Sequence, residues 1–171
     1  LIASVDEFIL LDDVQYTRRD WRNRNKIKTP KGAEWMTIAV EVKGKYHQLI
    51  RETAVSEPDW ARKHWRLLVQ NYGRAPHFKE FAERVEQWYT AAGAMRMLTE
   101  VNEHFLRALC DVLGIATPIR RSSEFALVDG ATERLASLCA QVGATAYLSG
   151  PAAKDYLKTE PFSAVGVSVE W

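Results

Sequence analysis

Apolar residues recur along this chain with two different rhythms, and the places where one gives way to the other mark its elements. Glu7-Phe8-Ile9-Leu10-Leu11 is a short apolar run ending in Asp12-Asp13, which predicts a buried strand delivering carboxylates at its C-terminal edge. From Trp35 to Val42 the pattern alternates, Trp35, Thr37, Ala39 and Glu41 on one face and Met36, Ile38, Val40 and Val42 on the other. Lys43-Gly44-Lys45 then turns the chain into Tyr46 to Ile50, so a hairpin of these two runs is expected.

Helical spacing follows. Ser56-Glu57-Pro58-Asp59 opens a first helix with Ser56 as its N-cap, and Gly73 stops it after about Tyr72. A second, from Pro76 to about Ala91, carries Phe78, Phe81, Ala82, Val85, Trp88 and Tyr89 as one apolar stripe. The third runs from Thr99 to a left-handed cap at Gly114, and the fourth from Asp129 to Gly143. Beyond residue 114 the rhythm becomes strand, helix, strand, helix, strand: Thr117 to Arg121, Asp129 to Val142, Thr145 to Leu148, Pro151 to Leu157 and Gly166 to Trp171. The pattern predicts a single α/β domain over residues 1–171, with a mixed or mostly parallel sheet, a β-hairpin and an inserted helical stretch.

Composition changes this picture in three places. With 171 residues, 47% of them apolar, the chain can bury a sizeable core. No run of eighteen apolar residues occurs, which excludes a helical membrane span on length grounds. Cys110 and Cys139 sit at apolar helix positions without metal-ligand spacing, so they are expected to be buried thiols of a cytoplasmic protein. The chain begins Leu1-Ile2-Ala3 without Met and ends at Trp171 inside an expected strand, so both ends read as truncated.

Charge is distributed unevenly. Arg18 to Lys31 holds seven cationic side chains against one acid, Asp20, for a net +6 in a chain whose total is +1. Arginine suits bidentate recognition of phosphate or carboxylate, and Arg18, Arg19, Arg22 and Arg24 surround Trp21, an indole able to stack on a base or sugar. Gln15, Asn23 and Asn25 complete a candidate binding segment for a phosphorylated or nucleotide-linked small molecule. Its alternative is a solvated basic loop. Asp13 is a candidate base or metal ligand and Asp12 a second catalytic candidate, although either carboxylate could instead pair with an arginine or cap a turn. His64, one turn after Trp60, is the histidine candidate for acid–base work against a structural role. Ser149-Gly150-Pro151 follows an expected strand and opens an expected helix, a place where backbone amides favour an anion; a plain tight turn is the competing reading. No metal motif, nucleophile elbow or serine triad is present, and no cofactor is named by the sequence.

Asp12-Asp13-Val14-Gln15-Tyr16 followed by Arg19-Asp20-Trp21-Arg22-Asn23-Arg24-Asn25 resembles the WbqC-like family of bacterial proteins. The likeness continues through Trp35-Met36-Thr37-Ile38, Trp60 with Lys63-His64, Asn71-Tyr72, Ala75-Pro76, Thr132 with Arg134-Leu135, Cys139, Gly143-Ala144 and Tyr147-Leu148-Ser149-Gly150. The family's N-terminal stretch resembling Gln-Pro-x-Tyr-x-Pro-Trp and its C-terminal Pro/Tyr/Gln/Phe segment are absent, so the chain is similar to an internal fragment. The resemblance implies surface-polysaccharide biosynthesis of the O-antigen type, with a group transferase acting on a nucleotide-linked sugar or other phosphorylated donor. A nucleic-acid binder using Arg18 to Lys31 is the alternative, disfavoured by a pI of about 8.0; a non-catalytic scaffold in a glycan-assembly complex is the third.

Overall fold

A computed structural model describes all residues from Leu1 to Trp171. In chain order its elements are β1 (Phe8–Leu10), β2 (Arg24–Thr29), β3 (Gly32–Thr37), α1 (Trp60–Tyr72), α2 (Phe78–Ala92), α3 (Leu98–Val112), β4 (Ile119–Arg121), α4 (Ala131–Gln141), β5 (Ala146–Leu148), α5 (Glu160–Ala164) and β6 (Ser168–Glu170). The fold is mixed α/β, with small parallel and antiparallel sheets. No helix is long and apolar enough to cross a membrane.

Two compact units form, Leu1–Asp12 with Ile115–Trp171 and Asp13–Gly114. The helical stretch expected as an insertion, α1 to α3, lies wholly in the second. In the first, β1 pairs with β4 in parallel, Ile9 opposite Arg120, and β5 pairs with β6 in parallel, Tyr147 opposite Val169. The β5-to-β6 crossover is the expected strand–helix–strand unit, but its helical part differs. Pro151–Asp155 is a 3-10 turn, and α5 follows where no helix was expected. The strands make three separate pairs and no continuous sheet. Ala136, Cys139, Phe162 and Val167 bury together, with Tyr147 stacked on Phe162 at 4.9 Å between ring centroids. Burial pushes the Cys139 thiol up to about 11, which leaves it protonated and unreactive at neutral pH.

In the second unit the core is Trp60, Ala61, Tyr89, Ala92 and Val101, contributed by α1, α2 and α3. The antiparallel hairpin is not the one the alternation suggested. Residues 24–29, which belong to none of the expected strands, pair with β3 through the turn at Pro30-Lys31, so that Lys26 stands opposite Trp35 and Thr29 opposite Gly32. Gly32, with φ +111°, takes a left-handed backbone that a side chain would strain. Residues 38–55 retain only isolated bridges, Val40 with Val55, Gln15 with Leu49 and Ala54 with Met97. Helix α1 also begins later than Ser56 suggested, after Asp59, and the Ser56 amide donates instead to the Ala39 carbonyl at 2.9 Å. The third and fourth helices stop as read, and Gly114 and Gly143 both adopt φ +67° just beyond them.

Candidate functional site

The segment from Val14 to Arg24 is held in place by backbone first. Tyr16 N–H donates to the Gln48 carbonyl and Ile50 N–H to the Val14 carbonyl, both at 3.0 Å, which draws residues 14–16 alongside 48–50. Tyr16 is buried there, and desolvation raises its phenol above the ordinary value. The chain then turns through Arg19, the one non-glycine residue at positive φ (60°), into a 3-10 turn over Trp21–Asn23. Asp20 caps that turn: its carboxylate accepts from the Trp21 amide at 2.7 Å and the Thr17 hydroxyl at 2.8 Å, and pairs with Arg22. The Thr17 hydroxyl and the Trp21 amide hold the Asp20 carboxyl below the usual carboxylate range.

Asn23 is buried. Its amide donates to the Ile38 carbonyl at 2.9 Å while its own carbonyl receives the Ile38 N–H at 2.8 Å. Asn102 donates to the Arg22 carbonyl at 2.9 Å, tying the turn to α3. Arg24 donates to the Arg19 carbonyl and lays its guanidinium 4.0 Å from the centroid of Trp35. Asn25 is exposed and receives the Lys26 amide at 2.8 Å. Of the sequence candidates here, Asn23 and Arg22 are engaged in shaping the segment, while Gln15, Arg18, Arg19, Trp21 and Asn25 reach solvent.

An open cleft of about 290 Å³ lies where this segment meets the loop after β3, lined by Gln15, Tyr16, Thr17 and Arg18 on one side and Val42, Lys45 and Tyr46 on the other. Gln15 donates to the Tyr46 carbonyl at 2.8 Å and Arg18 to the Val42 carbonyl at 2.7 Å, with the Arg18 guanidinium 5.5 Å from the Tyr46 ring centroid. Arg18 thus anchors one donor and keeps the rest of its fork for a ligand. Lys45 meets Glu41 at 2.6 Å in a pair about half exposed on both sides, which is weak enough to be exchanged for an anion. Tyr46 is 70% exposed. Sequence reading missed Val42, Lys45 and Tyr46 because it assigned them to a turn and a strand; a cation next to an aromatic in a Gly-containing loop was the available signal.

The remaining candidates are distributed differently. Asp13, buried, belongs to the same unit as the cleft. Asp12 belongs to the other unit, where Ser122 donates its hydroxyl to the Asp12 carboxylate at 3.2 Å. Ser149 and Gly150 lie in that unit as well; the Ser149 amide donates to the Glu170 carbonyl at 2.9 Å, and the five-residue 3-10 turn after Gly150 is no helix to supply a dipole.

His64 is half-buried on α1, its Nε2 at 3.0 Å from the Thr37 carbonyl and its ring edge-on to Trp60 at 5.2 Å. The hydrogen bond places the proton on Nε2. Burial lowers its pKa below the ordinary 6.5, against smaller opposing effects of the Thr37 carbonyl and Glu57. A lowered folded value means that the unfolded chain binds the proton first as pH falls. Stability contributed by neutral His64 is therefore fully present above pH 6.5 and is lost as pH drops from there through the folded value. Melting temperatures recorded from pH 8 to pH 5 are expected to fall less steeply for His64→Gln than for the parent, and parallel curves would remove this role.

No solved structure matches the chain. The uncharacterized protein Rv1507c of Mycobacterium tuberculosis is 48% identical over all 171 residues, which cover 74% of its length. The model of the WbqC-like protein family matches residues 1–171 from end to end, and the chain belongs to that family.

Proposed function

We propose that the cleft between Gln15–Arg18 and Val42–Tyr46 binds the phosphate-bearing part of a nucleotide-linked sugar or another phosphorylated donor, and that the protein is a group transferase of surface-polysaccharide assembly in the cytoplasm. The observation that carries this reading is the convergence of Arg18, Lys45 and the exposed Tyr46 ring on one cleft. A guanidinium and an ammonium neutralise phosphate oxygens, and an exposed phenol ring offers a stacking face for a base or sugar. Gln15 and Thr17 add neutral donors and acceptors for hydroxyls. Asp13, two residues before Gln15, is the carboxylate assigned as general base. Family membership, with the polysaccharide setting the resemblance implies, supports the choice of a sugar donor over other phosphate esters.

A thermal-shift panel of nucleotide sugars, acyl carriers and plain nucleotides tests the reading. A ligand present at a hundred times its Kd stabilises the folded state by about 2.7 kcal/mol, and for a chain of this size each kcal/mol moves Tm by about 2–4 °C. At least one nucleotide sugar is expected to raise Tm by several degrees. A panel with no shift for any phosphorylated compound would sink the proposal.

A further inference from the structure

Three residues after Arg18, and again at position 35, a tryptophan stands in solvent. Trp21 is 60% exposed and Trp35 42%, their rings edge to face with centroids 4.8 Å apart. Neither is loose. The Trp21 backbone is fixed by the Asp20 cap and by the 3-10 turn that Asn102 ties to α3, and its ring rests edge-on against Trp35. Trp35 is fixed by its place in β3 and by cations: the Arg24 guanidinium is 4.0 Å from its ring centroid and the Lys26 ammonium 5.0 Å. Arg24, Lys26 and Lys28 alternate along β2, so they share one face of the hairpin, their Cα positions about 6.5–7 Å apart along the strand. None of the three is in an ion pair. The inward position between Lys26 and Lys28 is the buried Ile27, which anchors the hairpin to the unit.

We propose that this face is a second binding site, taking an acidic sugar residue, carboxylated or phosphorylated, of the acceptor glycan; only the word acceptor rests on the transferase reading above. An indole held rigidly in water suits the apolar face of a pyranose, because stacking there removes C–H groups and ring from water without ordering a floppy side chain. The unpaired Lys26 and Lys28, with Arg24, fit a carboxylate or phosphate on that sugar. A single-stranded nucleic acid would need successive open aromatic faces along its track. Here Trp35 is engaged by two cations and by Trp21, so Trp21 alone presents a largely open ring. The cap that fixes Trp21 also holds Thr17, a wall of the donor cleft, through the same Asp20 carboxylate. One short segment thereby sets both sites.

Isothermal titration of the full chain with trigalacturonate, mannose monophosphate, maltotriose and a decamer of deoxythymidylate, with no nucleotide present, tests the face independently of the cleft. Binding of at least one of the two acidic saccharides is expected, about tenfold or more tighter than maltotriose, and weakened about tenfold or more by Trp21→Ala and by Lys26→Gln. Which acid binds identifies the charged group. Absence of binding by both, equal affinity for maltotriose, unchanged affinity in the two variants, or tighter binding of the decamer than of either saccharide each overturns the proposal. Both substitutions are at exposed positions, and an unchanged circular-dichroism spectrum and Tm confirm that the variants are folded.

Discussion

Replacing Arg18 with alanine is expected to weaken nucleotide-sugar binding by about 10- to 150-fold, the equivalent of ~1.5–3 kcal/mol for charge-assisted hydrogen bonds to phosphate. The substitution removes the guanidinium that reaches across the cleft to the Val42 carbonyl and the Tyr46 ring. Arg18→Lys should recover only part of the loss, since an ammonium keeps the charge but not the planar fork. Stability should change by no more than about 0.5 kcal/mol, because the side chain is exposed and its one anchor is to a loop carbonyl. Calorimetric titration of the three proteins with whichever donor raises Tm checks this, and equal affinities would remove Arg18 from the site.

Trp60→Ala should produce the largest loss of stability, about 3–5 kcal/mol. Trp60 is 2% exposed and meets His64, Tyr89 and Phe105 edge-on at 5.2, 6.0 and 6.5 Å between centroids, so its removal opens the junction of α1, α2 and α3. Its indole N–H is buried without a partner. An orphaned donor costs about 1–3 kcal/mol, so Trp60→Phe discards that cost along with some volume and should be much milder than alanine. Tyr89, whose phenol burial pushes up to about 12, stays neutral in both variants and adds no pH dependence near neutrality. Urea denaturation of the two variants measures the difference, and an alanine variant as stable as the phenylalanine one would contradict the packing described.

How much of this was legible in the sequence depended on length and on what each residue touches. The four long helices were readable because apolar stripes persist over three or four turns and because Gly73, Gly114 and Gly143 punctuate their ends. The hairpin was not. Strand β2 buries one apolar residue, Ile27, between Lys26 and Lys28, so it lacks the apolar alternation that marks a half-buried strand. Residues 38–42 do alternate, yet they form only an isolated bridge, Val40 to Val55, and run as connection. Strands β1, β4, β5 and β6 are three residues each, too short to carry a period of their own. In the site, the density of Arg, Trp and Asn from Gln15 to Asn25 marked one wall, but nothing local announced that residues 42–46 form the other. That wall is assembled by backbone bonds from Val14 and Tyr16 to residues about thirty positions away. Asp20, counted in the sequence only as an acid among bases, turned out to organise the segment; a Thr-x-x-Asp followed at once by a helical turn was the signal for it.

The pairing of Phe8–Leu10 with Ile119–Arg121 has a consequence for how the chain is made. Strand β1 leaves the ribosome before β4, its hydrogen-bonding partner, which follows more than a hundred residues later. At elongation rates of about 5–20 residues per second that interval lasts roughly 5–20 seconds. Residues 13–114 carry their own core and can condense within it. Through those seconds the apolar Phe-Ile-Leu segment has no strand to pair with, and its edge stays open to water.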